Sequence, residues 1–402
     1  MSSVKPVIII GSGVVGLTLG HGLRKSGIPF EIYERDGSID SRDQGWAITL
    51  HWVLPYLKKL LDQETYEALN SVQVDPEVGR NDTGNFLFIN LATEEAKFRI
   101  PPNERRRVNR EKMRRLLLQG IADRVHWSKT LIDIIKDSSS NDVTAVFEDG
   151  SQVTGSLLIG AEGTNSRTRQ FLCPGNYINS LLPVRFIGAA VDMTPDQVKP
   201  LRDLDPLLFQ GCHPDTGSYL WCSMLEVPEI NGTAGTPNER YRVQLNVSWP
   251  VKSPDDEVKE TDAGRLAQMK QKATGWSPKL KAVIDAIPEN SVVTEIRLVD
   301  WPCLEWDNRG GSVTLVGDAA HAMTMYRGEA ANHGILDAYR LCEALQAIHH
   351  GESQKSAIDE FEAEMRSRTS AAVLLSRQAC LDAHDWQNLN ENSAVLKRRA
   401  LK

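Results

Sequence analysis

The sequence predicts an α/β protein: a parallel sheet that the chain opens at its N-terminus and rejoins near its C-terminus, an inserted, mostly antiparallel sheet, and closing helices. Three observations predict it. A four-residue apolar strand runs straight into a glycine loop and a helix near residue 10, and two further apolar strands near residues 157 and 313 also end in glycine turns. Between the second and third of these, the pattern changes to β-rich runs separated by Pro- and Gly-containing segments. From residue 328 onward the periodicity is helical.

Val7-Ile8-Ile9-Ile10, bounded by Gly11, reads as a fully buried parallel strand. Val14, Val15, Leu17, Leu19 and Leu23 then recur at helical spacing, with Gly27 where a helix C-terminus wants it, and Phe30 to Glu34 reads as a second strand. This is one βαβ unit with GxGxxG at its first turn, the Rossmann-like arrangement for a dinucleotide. Gly11 permits the tight turn, Gly13 lets a pyrophosphate approach the backbone, and Gly16 lets helix and strand pack closely. The helix N-terminus offers free N–H groups to phosphates, and Glu34 is placed to accept hydrogen bonds from both ribose hydroxyls of an adenosine. Arg35, the next residue, is a candidate for stacking on the adenine or for a solvated position. The unit by itself does not choose between NAD and FAD.

The second segment, Leu157-Leu158-Ile159-Gly160-Ala161-Glu162-Gly163-Thr164-Asn165-Ser166-Arg167, repeats the strand, glycine turn and helix start. The third runs Val313-Thr314-Leu315-Val316-Gly317-Asp318-Ala319-Ala320-His321 and continues to Gly328-Glu329-Ala330-Ala331-Asn332. It delivers Asp318 to the carboxyl end of a strand, where open α/β sheets bind their ligands.

With these three motifs in order, the chain resembles the class A FAD-dependent monooxygenases, the family of para-hydroxybenzoate hydroxylase, salicylate hydroxylase and kynurenine monooxygenase, and within it the salicylate hydroxylase-like enzymes of fungi. The resemblance spans residues 7 to about 380 and implies FAD as cofactor. By position it implies that Gly11, Gly13 and Gly16, with Val14 and Val15 in the first turn, hold the pyrophosphate, and that Glu34 and Arg35 meet the adenosine. It places Arg110 at a helix start against FAD, Gly317 and Asp318 near the ribityl and pyrophosphate, and the backbone at Gly328, Ala331 and Asn332 at the flavin pyrimidine edge. The loop Gln44-Gly45-Trp46-Ala47 should touch the cofactor, and Glu162, which replaces the family's Asp, keeps its charge beside the pyrophosphate. Met325 and Ala330 stand where the third motif usually has Pro and Gly, so Ala330 should sit in ordinary helical backbone.

The resemblance implies four regions: an FAD-binding domain over 1–183 with a β-rich excursion at 84–100, a substrate-binding β-sheet domain over 184–300, a return to the FAD-binding domain with C-terminal helices over 301–385, and a polar, loose tail over 386–402. The runs Val184 to Val191, Leu207 to Cys212, Ser218 to Leu225 and Tyr241 to Trp249 are the strands expected to roof a substrate pocket, with Phe86 to Ile100 at an edge. Arg185 and Tyr219 are the catalytic candidates on them, and Trp221 reads as sheet packing. His321 and His333 read as structural, and His349-His350 as a helix cap.

The implied activity consumes NADH or NADPH as a transient co-substrate and inserts one atom of O2 into an aromatic or secondary-metabolite substrate through a flavin C4a-hydroperoxide. An oxidase, epoxidase or Baeyer–Villiger-type enzyme, a NAD-dependent dehydrogenase and a non-catalytic flavin protein are the alternatives. A net charge of -7 argues against nucleic acid as partner, the Arg-rich stretch 105–115 reading mostly as a solvated helix face. Six dispersed cysteines form no CxxC pair, which suits neither a metal site nor a disulfide framework. No apolar run reaches the roughly 20 residues of a membrane span. The expectation is a soluble, cytoplasmic monomer or homodimer acting on a small molecule.

Overall fold

The computed structural model describes residues 5–41, 46–81, 86–100, 104–137 and 142–397. Its first sheet has five parallel strands in the order Val313–Leu315, Leu157–Gly160, Val7–Ile10, Phe30–Tyr33 and Val125–His126. The three apolar strands read from the sequence are therefore neighbours. Each is buried throughout, which explains their unbroken apolar character. The helix Val14–Lys25 packs on this sheet and against the long helix Ala330–His349. An antiparallel meander of Leu131–Lys136, Val143–Phe147 and Gln152–Gly155, which the sequence reading did not anticipate, carries the chain from the edge strand back to the centre.

The second sheet has seven strands in the order Thr294–Glu295, Val184–Met193, Tyr241–Pro250, Tyr219–Glu226, Leu208–Cys212, Phe86–Asn90 and Ala96–Ile100. Every pairing is antiparallel except Leu208–Cys212 with Phe86–Asn90. The β-rich excursion is thus an edge of the inserted sheet. Side chains alternate across it. Leu220, Cys222, Val243, Leu245 and Val247 enter a core with the helices Asp262–Lys272 and Pro278–Asp285. Trp221, Ser223, Gln244, Asn246 and Ser248 lie on the opposite face, toward the first sheet and its helices.

The helix expected near Gly328 begins at Ala330, and the last helix runs Gln354–Asp382. The loose tail is corrected: Leu389, Ala394, Val395 and Leu396 are buried in a third cluster with Tyr219, Phe186 and Tyr326. Four apolar side chains among polar ones, without a secondary-structure period, gave no signal of this docking.

Candidate active site

At the first βα turn, close packing explains the glycines. Gly11 has φ 106°, and a Cβ on Gly16 would lie 2.1 Å from the Gly11 carbonyl oxygen. Over Gly13, by contrast, there is open space. Glu34 is buried at the end of the second strand, where Oε2 accepts from the Ser12 N–H (2.7 Å) and hydroxyl (3.0 Å) and Oε1 from the Asp36 N–H (3.1 Å).

The Asn109 side chain accepts from the N–H groups of Glu111 and Lys112, which sets Arg110 at the first position of the helix Arg110–Leu118. Arg110 lies 3.2 Å from Glu111. One turn on, Arg114 is buried, donates to the Ser12 carbonyl (2.9 Å) and hydroxyl (3.0 Å), and lies 3.9 Å from Glu34 and 3.7 Å from Asp36. The sequence reading passed over it; its i,i+4 spacing from Arg110 was the available signal. Arg35 is exposed.

The third motif rests on a buried ionic network. Asp337 accepts from the Gly317 N–H (2.9 Å), from His321 Nε2 (2.5 Å) and from Arg368 (2.7 Å), and Arg368 also meets His333 Nδ1 (2.9 Å). Burial opposes ionisation of Asp337, but His321 and Arg368 outweigh it and hold the carboxyl below its ordinary range. Burial, with the charges of His321 and Arg368, pushes His333 down to about 3. Both histidines therefore hold the turn that presents Asp318. Burial raises the Asp318 carboxyl, partly offset by His321, Arg110 and Arg169. Asn332 pins the loop: its Oδ1 accepts from the His51 N–H (3.0 Å), and its Nδ2 donates to the carbonyls of Thr49 (2.9 Å) and Gly328 (3.2 Å). Ala330 is helical, as expected.

One observation unites these ends. Among the described helices of eight residues or more, Arg110–Leu118, Pro195–Arg202, Asp262–Lys272, Pro278–Asp285 and Gln354–Asp382 carry side-chain N-caps. Val14–Lys25 and Ala330–His349 have none, and these are the two helices expected at the pyrophosphate and the flavin. Their N-terminal N–H groups and positive dipole ends suit an anionic dinucleotide. The residues present fit FAD.

Between the loop Met325–Ala331 and the inserted sheet lies a cavity of about 220 Å³. Ala47, Met325, Gly328 and Ala331 line one side, and Phe86, Trp221, Gln244 and Asn246 the other. Trp46 and Ala47 of the expected cofactor loop line it; Gln44 and Gly45 fall outside the described residues. Two expectations are corrected. Arg185 pairs across the strand with Trp249 on the far face, and its guanidinium binds Glu257 (2.7 and 2.9 Å) away from the cavity. Tyr219 is buried behind the cavity wall, donating to Gln210 Oε1 (2.7 Å) and packed on Tyr326. Glu162 accepts from the Ser166 hydroxyl (2.6 Å) and the N–H groups of Arg167 (3.0 Å) and Thr168 (3.1 Å), so it orders the start of the helix Arg167–Leu172, and its backbone lies beside the first turn, where a Cβ on Gly11 would come within 3.2 Å of the Glu162 Cα. Trp221, read as packing, lines the cavity, as does Arg107, which the sequence reading missed. No described His, Cys, Asp and Glu groups could hold a metal, and no described helix is long and apolar enough to cross a membrane.

Residues 59–376 match the model of the FAD binding domain family. The chain is 48% identical over 344 residues to the FAD-dependent monooxygenase dbaB of Emericella nidulans, covering 85% of this chain and 86% of that protein. It is 40% identical over 413 residues to a probable FAD-dependent monooxygenase of Arthroderma benhamiae, covering 98% and 95%. Among solved structures, a putative FAD-containing monooxygenase from Photorhabdus luminescens superposes with a TM-score of 0.78 at 24% identity, covering 96% of this chain and 100% of that one.

Proposed function

The chain belongs to the FAD binding domain family of FAD-dependent monooxygenases, and from that premise we propose that it consumes NADH or NADPH to place one oxygen atom of O2 on a small aromatic or polyketide-like molecule held in the central cavity. The observation that carries this reading is the pair of uncapped helix N-termini, one beside the buried Glu34 and the other opening on the cavity.

When bound, FAD supplies the redox chemistry, accepting reducing equivalents and activating oxygen. The chain supplies binding and electrostatics. The backbone of Gly11 to Gly16, with Val14 and Val15, would receive the pyrophosphate, and Glu34, held by Ser12, Asp36 and Arg114, the ribose. Arg110, Gly317 and Asp318 would lie along the connecting region, and the N–H groups at the start of Ala330–His349 would offset negative charge on the flavin pyrimidine edge. Trp46, Phe86, Trp221 and Met325 give the cavity apolar walls. A single βαβ dinucleotide unit is legible, which supports transient binding of the nicotinamide cofactor.

Mass spectrometry of the heat-released ligand should find FAD. NADPH consumption under 18O2, with candidate substrates, should give product carrying one labelled oxygen. FMN or NAD alone, or product without label, overturns the reading; unlabelled oxidised product would favour an oxidase.

A further inference from the structure

Arg107 sits in the strand Arg106–Asn109, 5% exposed, with its side chain at the cavity wall. Its NH1 donates to Thr49 Oγ1 (2.9 Å) and its NH2 to Ser223 Oγ (2.8 Å), and the guanidinium lies 5.6 Å from the centre of the Trp221 ring. Both acceptors are neutral hydroxyls. Nε is buried without a hydrogen-bond partner, and among the described residues no carboxylate forms an ion pair with it. Two of five guanidinium donors are used. Burial, reinforced by the like charge of Arg105, holds its pKa down at about 9, leaving it cationic at neutral pH.

The contrast is with Arg327, the cavity's other deeply buried arginine, which is neutralised by Glu329 at 2.7 Å. Burying a guanidinium without a counter-charge is unfavourable, so a site that keeps one is electrostatically incomplete. Beside it the sheet presents two carboxamides, Gln244 and Asn246, whose Oε1 and Oδ1 are buried without partners. Gly188, across the strand from Asn246, makes room for one of them: a Cβ there would come within 1.9 Å of Asn246 Oδ1. The remaining walls include the planar faces of Trp46, Phe86 and Trp221.

We propose that Arg107 is the receptor for a planar oxyanion on the substrate, so that the cavity selects a conjugated or aromatic acid whose neighbouring hydroxyls meet Gln244 and Asn246. The oxyanion is a carboxylate or the ionised hydroxyl of an acidic phenol or enol. This rests on the reading of the cavity as the substrate site. The charged end is held at Arg107, against Thr49 and Ser223, while the ring stacks among the aromatic walls.

The test is calorimetric titration of the FAD-loaded protein with pairs of matched probes: 2-hydroxybenzoate and 3-hydroxy-2-naphthoate against their methyl esters, and 4-nitrophenol against 4-nitroanisole, from pH 6 to 9. At least one charged probe should bind the wild type 10-fold or more tightly than its neutral partner. A carboxylate preference constant with pH identifies the first source, and an affinity that rises as the phenol ionises identifies the second. The preference should fall below threefold in Arg107→Met and survive in part in Arg107→Lys; the wild-type comparison and the lysine variant decide the matter should the methionine variant not fold. Equal or undetectable binding of charged and neutral members of every pair overturns the inference. So does a preference that persists in Arg107→Met, or a variant that changes only FAD retention or flavin potential, which would assign the charge to the flavin. FAD content and NADPH oxidation of the same wild-type preparation keep the outcomes separate: normal values without acid preference defeat this inference alone, whereas absent FAD defeats the functional reading.

Discussion

Glu34 and Arg114 hold the glycine loop from two sides, and the proposed cofactor role of Glu34 rests on that arrangement. The Glu34 carboxylate orders Ser12 in the glycine loop and is the group proposed to meet the ribose. Glu34→Ala should weaken FAD binding about 10- to 100-fold, the roughly 1.5–3 kcal/mol of hydrogen bonds to a charged group. Fluorescence titration of apoprotein with FAD measures it, and an unchanged dissociation constant removes Glu34 from the ribose. Arg114 was invisible in a run of basic residues because a helical arginine looks the same whether solvated or buried. Its acidic neighbours Glu34 and Asp36 arrive from a distant strand end. Arg107, in the strand before that helix, escaped notice in the same basic run. Glu34 was legible because its position at a strand end, after a GxGxxG turn, has one dominant physical use.

At the scale of elements, the last helix is fastened to the parallel sheet through Glu362, which accepts from Thr314 Oγ1 (2.8 Å), Trp306 Nε1 (3.0 Å) and Asn308 Nδ2 (3.0 Å). Burial pushes this carboxyl up to about 7, against those three hydrogen bonds, from 4.5. The folded state thus holds the proton more tightly than the unfolded chain. Its contribution is full below the unfolded value and is lost as pH rises through about 7. Relative to Glu362→Gln, the wild type should lose up to roughly 3 kcal/mol of stability between pH 4.5 and 7.5. Denaturant unfolding of both proteins across that range checks it; parallel pH profiles would mean that Glu362 does not titrate there. The helix itself was legible, because its period is local, but the acid that fastens it was not.

Across the whole molecule, the C-terminal segment joins the two sheets. His384 donates through Nδ1 to the Cys380 carbonyl (2.7 Å) and accepts through Nε2 from the Ser248 hydroxyl (2.8 Å), which in turn accepts from Tyr326 (2.9 Å) in the loop beside the cavity. Thr324 donates to the Ser376 carbonyl (2.8 Å) and Arg327 to that of Ala394. Ending the chain after Trp386 removes Leu389, Val395 and Leu396 from the core, which should cost about 4.5–9 kcal/mol. It should also weaken FAD retention by loosening the Met325–Arg327 turn. A melting temperature and flavin content equal to those of the full chain would return the segment to a loose tail. By itself the sequence determined the parallel sheet and the glycine turns and helices that follow its strands, because a strand, a glycine turn and a helix start are specified within about thirty contiguous residues by backbone sterics. Only the tertiary structure decided which side chains face the cavity. Strand side chains alternate with period two, so the register of pairing, and not the presence of a strand, sends Arg185 to the outer face and Trp221 to the cavity. The wall is then completed by Arg107 and Phe86, which reach it from more than 100 residues away in the chain.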